Sequence, residues 1–224
     1  MEQLEKKHGG KLFQMTNWDA LMHRYKPEHY PLIKKVQGAV DLFKKKWDSP
    51  LWKEVTNDKK ENLVIWQRVS EEGLNTVKAS GFINRDPMLI LRVTGDDKYR
   101  HQYDPMYDRM AFLERIADQT YLIHHLTKSV VVVGARDFVV IIHFNKTPEG
   151  VIYAIVLDAG RNDLVPETKG TVRGYLPIAG WRLEALPPQP GIPHRTKVDY
   201  LAEIDIKGNI PAFLMKVVIK DQGY

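Results

Sequence analysis

Apolar and polar residues alternate along this chain at two periods, and the change of period divides it. Between Pro31 and Lys46, Leu32, Val36, Val40 and Phe43 recur at helical spacing with lysines on the other face. That spacing predicts an amphipathic helix packed on a core. From Leu51 the period shortens to two. Leu51–Val55, Leu63–Val69 and Leu74–Phe82 read as strands of an antiparallel meander, with Gly73 turning the second into the third. Asp86 before Pro87 is an N-cap followed by a first helical residue, so Pro87–Val93 reads as a helix, ended by Gly95-Asp96-Asp97. A short turn or helix then runs to Tyr103-Asp104-Pro105. Met110–Ala117 and Tyr121–Leu126, joined at Asp118-Gln119, are strand patterns, as are Phe138–Phe144, Val151–Leu157, Val172–Leu176 and Val198–Ile206. A helix-like tail begins at Ile210-Pro211. Ahead of all this, residues 1–16 are polar, and Asn17–Arg24 reads as a short helix.

This order predicts an α+β domain over residues 26–224 behind an extension at 1–25. Nine or so strands with a helix at each end leave one sheet face uncovered if the sheet is flat. The sheet must therefore curl, and a curled antiparallel sheet gripping a C-terminal helix can enclose an apolar cavity. Side chains alternate along a strand, so parity proposes the cavity wall. Tyr121, Ile123 and His125 share one face, as do Val140, Ile142 and Phe144, and then Tyr200, Ala202 and Ile204. His124 must face away from His125, which rules out adjacent metal ligation by the pair. Gly174, on the same parity as its strand's inward positions, leaves room where a side chain would intrude.

Composition narrows the classes. The chain has 224 residues, 43% of them hydrophobic, and no cysteine. That allows one large core, excludes disulfide and thiol chemistry, and points to a reducing, cytoplasmic setting. No apolar run approaches the length of a membrane span, and the first residues lack the apolar stretch of a signal peptide. The net charge of +5 is spread widely, and no nucleic-acid-binding motif accompanies Lys44-Lys45-Lys46, so no nucleic-acid partner is expected. Sequence signatures of hydrolases, phosphate-binding loops, dinucleotide sites and zinc sites are missing. No catalytic residue, metal or cofactor is expected.

Val130, Val131, Val132 and Val133 stand together in the loop Thr127–Ala135, where water exposure would cost up to about 1.5 kcal/mol each. They are expected to be buried in a closed state or inserted in lipid, with Gly134 as the hinge of a gate. Arg136 and Asp137 stand at a loop-to-strand junction, where a charged pair usually anchors the loop. Arg173 alternates away from the cavity, which makes it a third structural anchor.

Six motifs occur in an order that resembles a known family. They are Trp52-Lys53, Tyr103-Asp104, Arg136-Asp137-Phe138, Val165-Pro166 with Gly170-Thr171-Val172-Arg173, Gly180-Trp181, and Thr196-Lys197-Val198 with Asp205-Ile206-Lys207-Gly208-Asn209-Ile210-Pro211. Together they resemble the START family, the steroidogenic-acute-regulatory-related lipid-transfer domains, from about Trp52 to Val218. The resemblance implies a helix-grip fold and a non-catalytic monomer. It implies transfer of one lipid of the phospholipid, ceramide or sterol class between membranes, with transient contact at the membrane surface. It adds the loop Ala159–Lys169 and the helix from Pro211, with Phe213 and Leu214, as further lips of the gate. It also places His125 where some sterol-type members carry a pocket carboxylate. The partner arginine of that pattern is here Ile142. A lipid-sensing regulatory role, and an enzyme using the same cavity on an apolar substrate, are the alternatives.

Overall fold

The computed structural model describes residues 25–129 and 134–207. Two short helices open it, α1 (Tyr30–Gln37) and α2 (Ala39–Trp47). The helix expected over Pro31–Lys46 is thus broken at Gly38, whose ψ of 3° leaves the helical range. The lysine-bearing faces stay in solvent, while Leu32, Val36, Ala39 and Phe43 are buried.

Ten strands follow: β1 (Lys53–Asp58), β2 (Leu63–Val69), β3 (Asn75–Ile83), β4 (Tyr107–Ala117), β5 (Thr120–Thr127), β6 (Ala135–Lys146), β7 (Ile152–Asp158), β8 (Thr171–Arg173), β9 (Tyr175–Leu186) and β10 (Arg195–Asp205). Nine of them form one antiparallel sheet in the order β1-β2-β3-β10-β9-β7-β6-β5-β4, and β8 lies parallel to β6. Gly73, at φ +78°, turns β2 into β3 as expected. Two helices sit between β3 and β4. In α3 (Pro87–Gly95), Asp86 is the N-cap and accepts hydrogen bonds from the backbone N–H groups of Met88 and Leu89; α4 (Asp97–Tyr103) is capped by Asp96.

The alternation of β6 shows how the sheet divides the molecule. Phe138, Val140 and Phe144 join an apolar cluster on the concave face that also takes in Ile90 and Leu91 of α3. Val139 and Ile141 join a cluster on the convex face under α1 and α2. The sheet is curved and open, the helix-grip architecture expected from the pattern. The expected C-terminal helix, the extension at 1–25 up to residue 24, and the short helix at 17–24 lie outside the described residues.

One expected strand is corrected. The Val172–Leu176 pattern is split at Gly174: β8 pairs with β6, whereas β9 pairs with β7 and β10. The register between β9 and β10 slips once, so that Ile178 faces Glu203 while Tyr175 faces Asp205. A bulge of this kind bends a strand and re-aims its side chains. As a result Leu176 and Ala179 both reach the concave cluster, while Ile178 between them joins the convex one.

Candidate functional site: a cavity in the concave face

Between the curled sheet and α3–α4 lies a cavity of about 490 Å³. Its middle is apolar. Ile123, Val140, Ile142, Phe144 and Ile204, all expected from strand parity, line it. Three other predicted wall residues do not. Tyr121 and Ala202 are buried in the surrounding apolar cluster, behind the wall. Gly174 is a correction of a different kind. A Cβ placed on it would stand 2.2 Å from Cε1 of Phe138, so the absent side chain makes room for that ring and not for a ligand. It is Phe138 that borders the cavity.

Gly180 serves the same end by another route. Its missing Cβ lets β9 close on β7, where a methyl group would meet the Ala154 carbonyl oxygen at 2.6 Å. The neighbouring Trp181 then enters the cavity wall beside Tyr200, their rings 5.2 Å apart.

The polar groups gather mainly at the α4 side. Arg100 Nε and Nη2 each donate to Asp104 Oδ2 at 3.3 Å, and the guanidinium lies 4.4 Å from the centre of the Tyr107 ring. Tyr103 donates from its hydroxyl to the Thr94 carbonyl at 3.2 Å. Of these residues the sequence singled out only Tyr103-Asp104, as a family dipeptide. The missed signal is the i, i+4 spacing of Arg100 in α4 and Asp104 at its C-cap, a spacing that brings opposite charges together at a helix end.

His125 closes this end. Its ring lies between those of Tyr107 and Phe138, with centroids at 5.5 and 6.1 Å. Nε2 is buried without a hydrogen-bond partner among the described residues. Burial, followed by the charges of Arg100 and His124, pushes its pKa down to about 3. Burial likewise holds His143, on the convex side, at about 4. Both histidines therefore bind a proton in the unfolded chain near pH 6.5 but not in the folded one. Stability falls as pH drops from about 6.5 towards 4, because the unfolded state takes up protons that the native state refuses. Denaturant midpoints measured across that window should fall with pH, and His125→Phe should flatten the slope. An unchanged slope in that variant would mean that His125 titrates normally.

His124 faces outward, as alternation requires. Its Nε2 lies 2.9 Å from Asp137 Oδ2. Arg173 holds the same carboxylate through Nε at 2.9 Å and Nη2 at 2.8 Å, and reaches Asn162 and the Val165 carbonyl in the 159–170 loop. Asp137 and Arg173 thus tie that loop to β6 on the side away from the cavity. Arg136 borders the cavity beside Gly134, and its donors go to the carbonyls of Gly134, Ile206 and Lys207 at 2.5, 3.0 and 3.1 Å. It holds the end of β10 against the start of β6. The remaining gate residues, Val130, Val131, Val132, Val133, Pro211, Phe213 and Leu214, lie outside the described residues. Among the described residues, no group of histidine, aspartate and glutamate side chains could hold a metal ion, and no helix is long and apolar enough to cross a membrane.

The fold resembles solved structures of this architecture. Human StAR-related lipid transfer protein 5 superposes with a TM-score of 0.70 at 19% identity, over 82% of this chain and 88% of that one. Human STARD10 superposes with a TM-score of 0.66 at 16% identity, over 83% and 76%. In sequence, the chain is 28% identical to the human mitochondrial steroidogenic acute regulatory protein over 121 residues, which is 53% of this chain and 40% of that protein. The bovine protein gives 28% over 120 residues, with the same shares of the two chains. The chain thus matches well under half the length of these relatives. The START domain family model matches residues 40–222, from α2 through β10 and beyond, and the chain belongs to the START domain family.

Proposed function

We propose that the protein binds one lipid molecule in the concave cavity and carries it between membranes. The observation that supports this reading best is the cavity itself. It has about 490 Å³ of space walled by apolar side chains, with its polar groups gathered mostly at one end. Ligand sites of that design span roughly 300–1,000 Å³, with a few polar groups fixing orientation. An amphiphile would lay its apolar body along Ile123, Val140 and Ile142 and turn its polar group towards Arg100 and His125. Each methylene kept from water in transit contributes about 0.8 kcal/mol, so a closed apolar container lowers the cost of crossing the aqueous gap. The ligand is a phospholipid, ceramide or sterol, and the protein works as a monomer that touches the membrane surface transiently. No bond is made or broken in this reading. His125 is held neutral, and Asp137, the aspartate of the adjoining strand β6, is bound by Arg173 and His124 on the far side of the sheet.

Ile142→Trp tests the container. Ile142 is half-buried and borders the cavity, so a larger side chain can fill empty space before it disturbs neighbours. Incubation with mixed vesicles followed by native mass spectrometry should show one lipid per wild-type chain. The variant should show at least a tenfold loss of occupancy with its melting temperature close to wild type. Equal lipid occupancy in the two proteins would sink the assignment of the site.

A further inference from the structure

The convex face carries a charged cluster that the cavity does not use, at the turn from α2 into β1. Lys78 on β3 is surrounded by indoles. Its Nζ lies 4.7, 4.9 and 5.1 Å from the ring centres of Trp47, Trp52 and Trp66, and donates to the Trp47 carbonyl at 2.9 Å. Trp52 donates from Nε1 to the Lys46 carbonyl at 3.1 Å. The two ends of the turn are thereby fixed to the sheet. Beneath it, Glu203 is fully buried, with Lys46 Nζ 3.0 Å from both carboxylate oxygens and Thr76 Oγ1 donating at 3.3 Å.

Arg68 is the unusual member. Its side chain is 1% exposed, yet Nε and Nη2 have no hydrogen-bond acceptor among the described residues. Nη1 lies 3.3 Å from Glu71 Oε1 and 3.5 Å from Ser49 Oγ, whereas Nη2 reaches Glu203 Oε2 only at 3.6 Å, as an ion pair without a hydrogen bond, and the guanidinium carbon lies 5.1 Å from the Trp52 ring centre. Glu71 bridges to the second cation as well, with Oε2 3.2 Å from Lys46 Nζ. Its side chain is 67% exposed on the β2–β3 turn. A solvent-exposed carboxylate thus occupies a spot flanked by two cations, one of them buried with two donors that make no hydrogen bond among the described residues. The serine hydroxyl beside that spot belongs to the chain's single Ser-Pro pair, Ser49-Pro50.

We propose that Ser49 is a phosphorylation site whose phosphate is received by Arg68 and Lys46 in place of the Glu71 carboxylate. A proline-directed protein kinase supplies the group from a nucleoside triphosphate. The bond from the γ-phosphorus to the bridging oxygen breaks, the bond to Ser49 Oγ forms, the hydroxyl proton passes to the kinase's base, and the nucleoside diphosphate leaves. A phosphoserine carries up to two negative charges and three acceptor oxygens, more than a single carboxylate. Its oxygens stand beyond Oγ, towards the guanidinium, and Glu71 is free to swing into solvent. The charge-assisted bonds supply acceptors that Arg68 now lacks, and they fasten the end of α2 to the sheet.

The folded chain, treated with a proline-directed kinase and ATP, should become labelled at residue 49. Ser49→Ala should remove that label and leave any at Thr147-Pro148. In ³¹P NMR, the second ionisation of the phosphate, ordinarily near pH 6, should lie about 0.5 unit or more below that of a phosphopeptide covering residues 44–54. Lys46→Met should move it back towards the peptide value, and the phosphorylated protein should melt no lower than the unmodified one. If the kinase labels residue 49 only after heat unfolding, the site is a buried serine and not a modification site. A chain made with phosphoserine incorporated at 49 tests the receiving pocket without a kinase. An ionisation matching the peptide's, or a melting temperature several degrees lower, would overturn the pocket.

Discussion

Gly174→Val is expected to lower the melting temperature by about 5–10 °C and to weaken lipid uptake at the same time. The sequence alone suggested the opposite balance, a blocked cavity in an undisturbed fold. A Cβ at this position stands 2.2, 2.6 and 2.9 Å from three atoms of the Phe138 ring. No relaxation of a few tenths of an ångström relieves such contacts, and the ring must move. Phe138 is itself buried, with His125 beside it and the cavity beyond, so the displaced ring takes up ligand space. Overpacking of this kind costs about 1–3 kcal/mol, and a domain of this size loses about 2–4 °C per kcal/mol. Thermal melts and vesicle uptake of Gly174→Val, Phe138→Leu and the double variant separate the effects. The smaller residue at 138 should recover most of the stability lost at 174. A Gly174→Val protein that melts with the wild type and binds as well would show that the ring has room elsewhere.

Arg173→Met is expected to destabilise the fold by about 3–5 kcal/mol, the usual cost of removing one partner from a buried ion pair. The Asp137 and Arg173 side chains are 2% and 7% exposed, so solvent cannot replace the lost contacts. The effect should depend on pH with a definite sign. Burial acts to raise the Asp137 pKa, but hydrogen bonds from Arg173 and His124 outweigh it and hold the carboxyl below its ordinary value. In the wild type its contribution is complete above about pH 4 and is lost as pH falls through the depressed native value. Without Arg173 the buried carboxyl takes up a proton more readily, and the protonated form needs no cation. The gap between wild type and variant should therefore be widest at neutral pH and narrow towards pH 4. Chemical denaturation at several pH values reads this directly. A gap that stays constant, or widens in acid, would show that Arg173 acts only through packing.

Much of the fold was legible because its elements repeat a simple period. β2, the turn at Gly73, the Asp86 cap and the division of His124 from His125 follow from alternation and local capping chemistry, which require no knowledge of distant partners. The break at Gly38 was less legible, since Leu32, Val36, Val40 and Phe43 keep helical spacing across it. Parity also found the apolar centre of the cavity, at Ile123, Val140, Ile142 and Ile204. It failed for Tyr121 and Ala202, because parity fixes a face of the sheet but not whether a neighbour covers that face.

The polar end of the cavity depended on something no strand pattern contains. Arg100 and Asp104 come from a short helix inserted between β3 and β4 and from its C-cap, and only the curl of the sheet brings them to His125. Gly174 shows the same limit at a single residue. The sequence by itself determined that a glycine stands there and that side chains alternate around it. The tertiary structure decided what the missing side chain is for, because β8 leaves the line of β9 to pair with β6 and sets Gly174 against Phe138. Local periodicity fixes which way a side chain points along its own strand. What it meets is set by register and curvature, which depend on pairings between strands far apart in the chain, such as β3 with β10.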